Sequence, residues 1–173
     1  GAAAGTQTAA LIWGGAAPGN VDTTFEFDGS AWASGGAYPI SQDRAGGFGT
    51  QTAALSAGGN EPPRSTTSNT YDGTSWTAVN PINTARSASE SFGTQTAAVL
   101  AGGWTDPTRV STVEVYDGTS WATATSMPGV RADGGGGGTQ TAGLGFLGTI
   151  APGAGGRTTS SVAYDGTNWT ATN

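Results

Sequence analysis

Trp104, Asp106 and Arg109 fall within one six-residue stretch, Trp-Thr-Asp-Pro-Thr-Arg. An aromatic face flanked by a carboxylate and a guanidinium suits stacking on a sugar ring, with hydrogen bonds made around its edge. The alternative is that Trp104 covers a neighbouring structural unit. Arg44, Arg86 and Arg131 form a second set, each following a Trp by 10 to 12 residues. A guanidinium at such a position can bond a backbone carbonyl or hold an acidic ligand.

Other chemistry is narrow. The chain has no His, Cys or Lys, so the usual bases, nucleophiles and transition-metal ligands are missing. No cofactor or metal is expected, and no loop carries the clustered oxygen ligands that calcium needs. A carboxylate pair could still hydrolyse a glycoside. The acids available for it are Asp22, Glu26, Asp43, Glu61, Glu90, Asp106, Glu114 and Asp133, whose places in sequence do not converge on a pair. An enzyme is therefore not expected. Twelve acidic residues against six arginines give a net charge of −6, which argues against a nucleic-acid backbone as partner. No apolar run approaches the length of a membrane span, so membrane insertion is not expected.

These side chains hang on a repeat. The phrase GTQT starts at Gly5, Gly49, Gly93 and Gly138. A second phrase keeps step: Phe27-Asp28-Gly29-Ser30-Ala31-Trp32, then Tyr71 to Trp76, Tyr116 to Trp121 and Tyr164 to Trp169. Glycine pairs recur at Gly14-Gly15, Gly58-Gly59 and Gly102-Gly103, whereas the fourth copy reads Leu147-Gly148-Thr149. With 31 glycines the composition alone would read as disordered, but a period of about 44 residues carrying several turn signals points to propeller blades or a stacked array.

Each period parses into four short strands. GTQT reverses the first into the second, a variable loop follows the glycine pair, and Asp-Gly makes a hairpin between the third and fourth. Val113 to Tyr116 alternates apolar and polar residues, and no window holds a helical stripe. The turn acids Asp28, Asp72, Asp117 and Asp165 are read as structural, and the aromatics Trp32, Trp76, Trp121 and Trp169 as core between sheets. Selectivity is expected in the loops around residues 16–20, 60–64, 104–109 and 152–157, which differ where the other phrases do not.

Glycine pair, Tyr, Trp and Arg in this order resemble a kelch repeat: Gly58-Gly59, Tyr71, Trp76 and Arg86, and again Gly102-Gly103, Tyr116, Trp121 and Arg131. The first unit has Gly14-Gly15, Phe27, Trp32 and Arg44; the fourth keeps Tyr164 and Trp169 without the glycine pair. The resemblance implies an all-β fold, a β-propeller of kelch-like four-stranded blades with boundaries near 1–43, 44–85, 86–130 and 131–173. It also implies that the Arg phase lies near the mouth of the central channel, where some propellers grip acidic ligands. Copper oxidases built on kelch blades have His and Cys ligands with no counterpart here. Kelch propellers usually carry six or seven blades, so a window from a longer array is expected; a closed four-blade ring and an eight-blade ring of two chains are the alternatives.

The Thr-, Gly- and Ala-rich style of GTQTAA and YDGTSW resembles repeats in virion-associated proteins of marine bacteriophages. That resemblance implies a non-enzymatic structural or adhesive module of a tail fibre, tail tip or capsid decoration, located on the virion or extracellularly. Its expected partners are other virion proteins, further copies of itself and a host-surface glycan. The alternative is a kelch scaffold that binds a protein partner through loops at the channel mouth.

Overall fold

The computed structural model describes residues 1–16, 18–151 and 156–172. Ala17 and residues 152–155, which belong to two of the variable loops, lie outside it, as does Asn173. The protein is all-β, with four four-stranded antiparallel sheets arranged as a four-blade β-propeller. Blade 1 contains β1 (Ala2–Thr6), β2 (Ala9–Trp13), β3 (Thr24–Phe27) and β4 (Trp32–Ser34). Blade 2 contains β5 (Gly46–Thr50), β6 (Ala53–Ala57), β7 (Ser68–Tyr71) and β8 (Trp76–Val79). Blade 3 contains β9 (Glu90–Gly93), β10 (Ala98–Ala101), β13 (Val113–Tyr116) and β14 (Trp121–Ala124). Within its loop stands a small extra hairpin, β11 (Trp104–Thr105) and β12 (Thr108–Arg109), which the four-strand parse did not anticipate. Blade 4 contains β15 (Gly135–Thr139), β16 (Ala142–Phe146), β17 (Ser161–Tyr164) and β18 (Trp169–Thr172).

The repeated phrases act locally as their chemistry dictates. Asp72 Oδ1 accepts the backbone N–H groups of Thr74 and Ser75, at 2.9 and 2.8 Å, and Asp28, Asp117 and Asp165 each accept the corresponding pair. These bonds hold the turn carboxyls below the ordinary range, Asp28 at about 2, chiefly through the N–H of Ala31. In GTQT the glycine is not at the tip of the turn. Gly49 sits in the ladder opposite Ala54 at φ 90°, where a side chain would run into the carbonyl of Ala53; the reversal is made by Gln51 and Thr52.

Gln51, Gln95 and Gln140 do more than turn the chain. Each amide donates backwards to two carbonyls of the preceding blade: Gln51 to Ala10 and Phe27, Gln95 to Ala54 and Tyr71, Gln140 to Ala98 and Tyr116. The blades are thus stitched at one end by a side chain that recurs because the seam recurs.

Apolar packing fills the rest of each seam. Leu11 and Trp13 of blade 1 meet Ala54, Tyr71 and Trp76 of blade 2; Phe48, Leu55 and Ala57 meet Ala98, Tyr116 and Trp121; Phe92, Val99 and Ala101 meet Val162, Tyr164 and Trp169. Two of the tryptophans bond backwards across a seam: Trp76 donates to Thr24 Oγ1 at 3.1 Å, and Trp169 to the carbonyl of Thr125 at 3.0 Å. This corrects the expectation of four equivalent core tryptophans. Trp121 is 6% exposed, Trp76 and Trp169 are half-buried, and Trp32, with no blade packed on its side of the sheet in this structure, is 50% exposed.

Size complementarity explains why the fourth phrase departs from the others and reads GTQTAG. The ring of Phe92 lies where a methyl group on Gly143 would be, and the carboxylate of Glu90 where one on Gly145 would be. Across the preceding seam the sizes are reversed, with Gly46 of β5 making room for Leu100 of β10.

Candidate functional site

The GTQT and Asp-Gly turns share one end of the propeller, so the opposite end carries the variable loops and the connectors between blades. There each loop begins and ends on a bridged pair, Ala16 with Asn20, Asn60 with Arg64, Trp104 with Arg109 and Thr149 with Arg157. Arg64, Arg109 and Arg157 therefore occupy one structural phase, which unequal loop lengths conceal in the sequence. The first three members of this phase reach forward: Asn20 to the carbonyl of Asn60, Arg64 Nε to Ser87 Oγ at 3.1 Å, and Arg109 Nε to Thr149 Oγ1 at 2.9 Å.

Trp104, Asp106 and Arg109 come together on this rim. The guanidinium of Arg109 lies 4.1 Å from the centre of the half-buried Trp104 ring, and that of Arg64 lies at 5.7 Å. Arg64 forms an ion pair with Asp106, while Arg109 has no carboxylate partner among the described residues. Arg64 arrives from the loop of the preceding blade and was missed by sequence reasoning. The only available signal was its place at the end of a loop, as with Arg109.

The three arginines read as one phase separate into two. Arg86 and Arg131 are equivalent to each other and to Gln42, since their backbone carbonyls accept the N–H groups of Gly59, Gly103 and Gly15 respectively. Both arginines are buried, at 1% and 5% exposure. Arg86 donates to the carbonyls of Gly102 and Thr112 and pairs with buried Glu114 at 2.8 Å, while Glu114 also accepts from Asn83 and Thr84. Arg131 donates to the carbonyls of Leu147 and Ser160, and its carboxylate partner is Glu90, at 3.4 Å. Burial pushes Glu90 up to about 7 against the opposing pull of Arg131. In blade 2 the pair is uncharged: Gln42 stands for the arginine, and Asn69, at the phase of Glu114, donates to Tyr38.

Arg44 belongs to a different phase, shared with Ala88 and Asp133. All three adopt left-handed backbone, at φ 56°, 55° and 58°, and they are joined by hydrogen bonds from Ala88 N to Arg44 O and from Asp133 N to Ala88 O. They stand at an axial cavity of about 640 Å³ together with Gly1, Ser89 and Gly136. A half-exposed Arg44 lies 3.5 Å from Asp43 and 4.0 Å from Asp133, which accepts from Thr149 Oγ1. A polar band thus runs from Arg44 through Asp133 and Thr149 to Arg109, Trp104, Arg64 and Asp106. Of the six residues singled out in the sequence, four lie on this rim; Arg86 and Arg131 are buried beneath it.

Neither a family model nor a curated protein matches the chain by sequence. Among solved structures it is similar to that entitled "Structure of YjhT", with a TM-score of 0.73 at 16% identity over 88% of this chain. The match covers 52% of that structure, so this chain spans about half its length. Likeness at this identity concerns the propeller fold.

Proposed function

We propose that the chain is a non-enzymatic kelch-like module of a phage particle, in a tail fibre, tail tip or capsid decoration, whose loop rim binds a host-surface glycan. The observation that carries the binding part is Trp104 with Arg109 stacked on it. An indole beside a guanidinium without its own carboxylate suits an acidic sugar, whose ring packs on the aromatic edge while its carboxylate takes the fork. Left-handed backbone at each glycine pair supports the kelch reading, because only glycine enters that conformation without strain. Virion origin is supported by the GTQTAA and YDGTSW style. The non-enzymatic reading is supported by the occupation of four of the eight candidate acids: Glu114 and Glu90 face buried arginines, Asp106 faces Arg64, and Glu26 accepts from Tyr71.

A glycan array tests the binding. Wild type should retain acidic saccharides, and Trp104→Ala should weaken them by about 1–3 kcal/mol, by analogy with base–aromatic stacking losses, without altering the unfolding curve. An array with no hits sinks the glycan reading. Fractionation of purified virions tests the location, and recovery only in the soluble cell fraction would contradict it. The second reading, a scaffold for a protein partner, is favoured by the axial cavity with Arg44 and Asp133 at its mouth. A co-purifying soluble protein lost on Arg44→Ala would select it.

A further inference from the structure

Arg64 and Arg109 are anchored alike and end differently. Each closes its loop, and each donates through Nε to a hydroxyl across the next seam, Ser87 Oγ for Arg64 and Thr149 Oγ1 for Arg109. That bond uses one edge of the guanidinium and leaves the two terminal nitrogens for another acceptor. At Arg64 the acceptor is the carboxylate of Asp106, in the turn of the β11–β12 hairpin. At Arg109 none of the described residues supplies a carboxylate. The stretch Ile150 to Gly156, which follows Thr149 as Asp106 follows Trp104, contains no acid. One kind of slot is thus filled once from within the chain and left open once.

Exposure decides which partner in the filled slot can give way. The side chain of Arg64 is 16% exposed and held by Ser87, whereas that of Asp106 is 64% exposed at the end of a two-stranded hairpin. A pair with one partner so exposed contributes little to stability. Trp104 links the two slots, because both guanidiniums lie against its ring, at 5.7 and 4.1 Å from the centre. A ligand packed on this indole is therefore near two cations, of which Asp106 neutralises one.

We propose that Asp106 is the specificity-determining residue of the Trp104 site. It is an internal carboxylate that occupies the Arg64 slot and restricts the rim to saccharides with a single carboxylate where they pack on the indole. Arg109 takes that carboxylate through its free nitrogens. A second carboxylate on the neighbouring sugar meets the charge of Asp106 where its own cation would be, so selectivity comes from a repulsive element. This rests on the glycan reading above and adds how many acidic groups the site accepts.

Titration calorimetry with three forms of one disaccharide tests it: digalacturonate, its monomethyl ester and its uncharged dimethyl ester. Wild type should bind the monoester at least about tenfold more tightly than the diester, as one charge-assisted hydrogen bond allows. It should bind digalacturonate no more tightly than the monoester. Asp106→Asn should bind digalacturonate at least about tenfold more tightly than wild type does, and the monoester less than about threefold more tightly. Asp106→Ser carries the same expectation, so an effect of the new amide on the hairpin is separable. Adding Arg64→Gln to Asp106→Asn should abolish the gain, with the unfolding curve as the check on folding. Equal gains on both acids, no gain, or a gain that survives Arg64→Gln overturns the proposal while leaving the glycan reading in place. A wild type that binds none of the three overturns it as well, whereas an empty glycan array removes the reading on which it rests.

Discussion

Gln95, in the β9–β10 turn of blade 3, donates its side-chain amide to the carbonyl of Tyr71 in blade 2 at 2.8 Å and to that of Ala54 at 3.0 Å. One side chain thus bonds both carbonyls of the ladder pair Ala54 and Tyr71 from across the seam. Truncation would remove both bonds, and a hydrogen bond of this kind contributes about 0.5–1.5 kcal/mol. Gln95→Ala should lower stability by roughly that amount in urea titration. Gln7→Ala, which removes an exposed side chain with no such acceptors, should change it by less than about 0.5 kcal/mol. Equal losses at the two positions would mean that the glutamine matters for the turn and not for the seam.

The tryptophans offer a similar contrast. Trp121 is packed on Phe48 of blade 2 and on Tyr116 of its own blade, with ring centres 6.0 and 5.0 Å away. Trp121→Ala should cost about 3–5 kcal/mol, the range for a large buried aromatic. Trp32→Ala should cost clearly less, because half of its surface is already in water. Thermal and urea unfolding measure both.

Glu90 makes a pH prediction whose sign runs against the usual carboxylate. Its folded value of about 7 stands above the ordinary 4.5, so the folded state holds the proton more tightly than the unfolded chain. Its contribution to stability is greatest below about pH 4.5, falls as pH rises and levels off above about pH 7. That difference corresponds to roughly 3 kcal/mol at most. Glu90→Gln should stabilise the protein at pH 8 and flatten its stability profile between pH 5 and 8. The four turn aspartates act oppositely and lower down, losing their effect as pH drops through their depressed values. A variant less stable than wild type at pH 8 would show that the ionised pair with Arg131 outweighs the burial.

Gly143 and Phe92 should be coupled. Gly143→Ala puts a methyl group into the ring of Phe92 and should cost about 1–3 kcal/mol. In a Phe92→Leu background the same change should cost less. A double-mutant cycle by urea unfolding gives the coupling, and strict additivity would separate the two residues.

Architecture was legible in the sequence because the determinants of a blade are local. Asp-Gly, the glycine pairs and the hairpin at GTQT each act within a few residues, and their period shows that one unit is built four times. Trp104, Asp106 and Arg109 were likewise visible as neighbours in one loop. What spacing could not show was which element each side chain meets from outside its own unit. Gln95 reads as a turn residue until blade 2 lies beside it, and Arg64 becomes part of the Trp104 cluster only when two loops of unequal length stand on the same rim. Arg44 and Arg86 fall at similar distances from a Trp, yet a shift of two residues in the connector sends one to the axial mouth and the other beneath the rim to Glu114. Trp32 and Trp121 occupy equivalent places in the same phrase, and their burial differs because packing depends on the neighbouring blade. Repetition is written along the chain, whereas contact is decided where non-local surfaces meet.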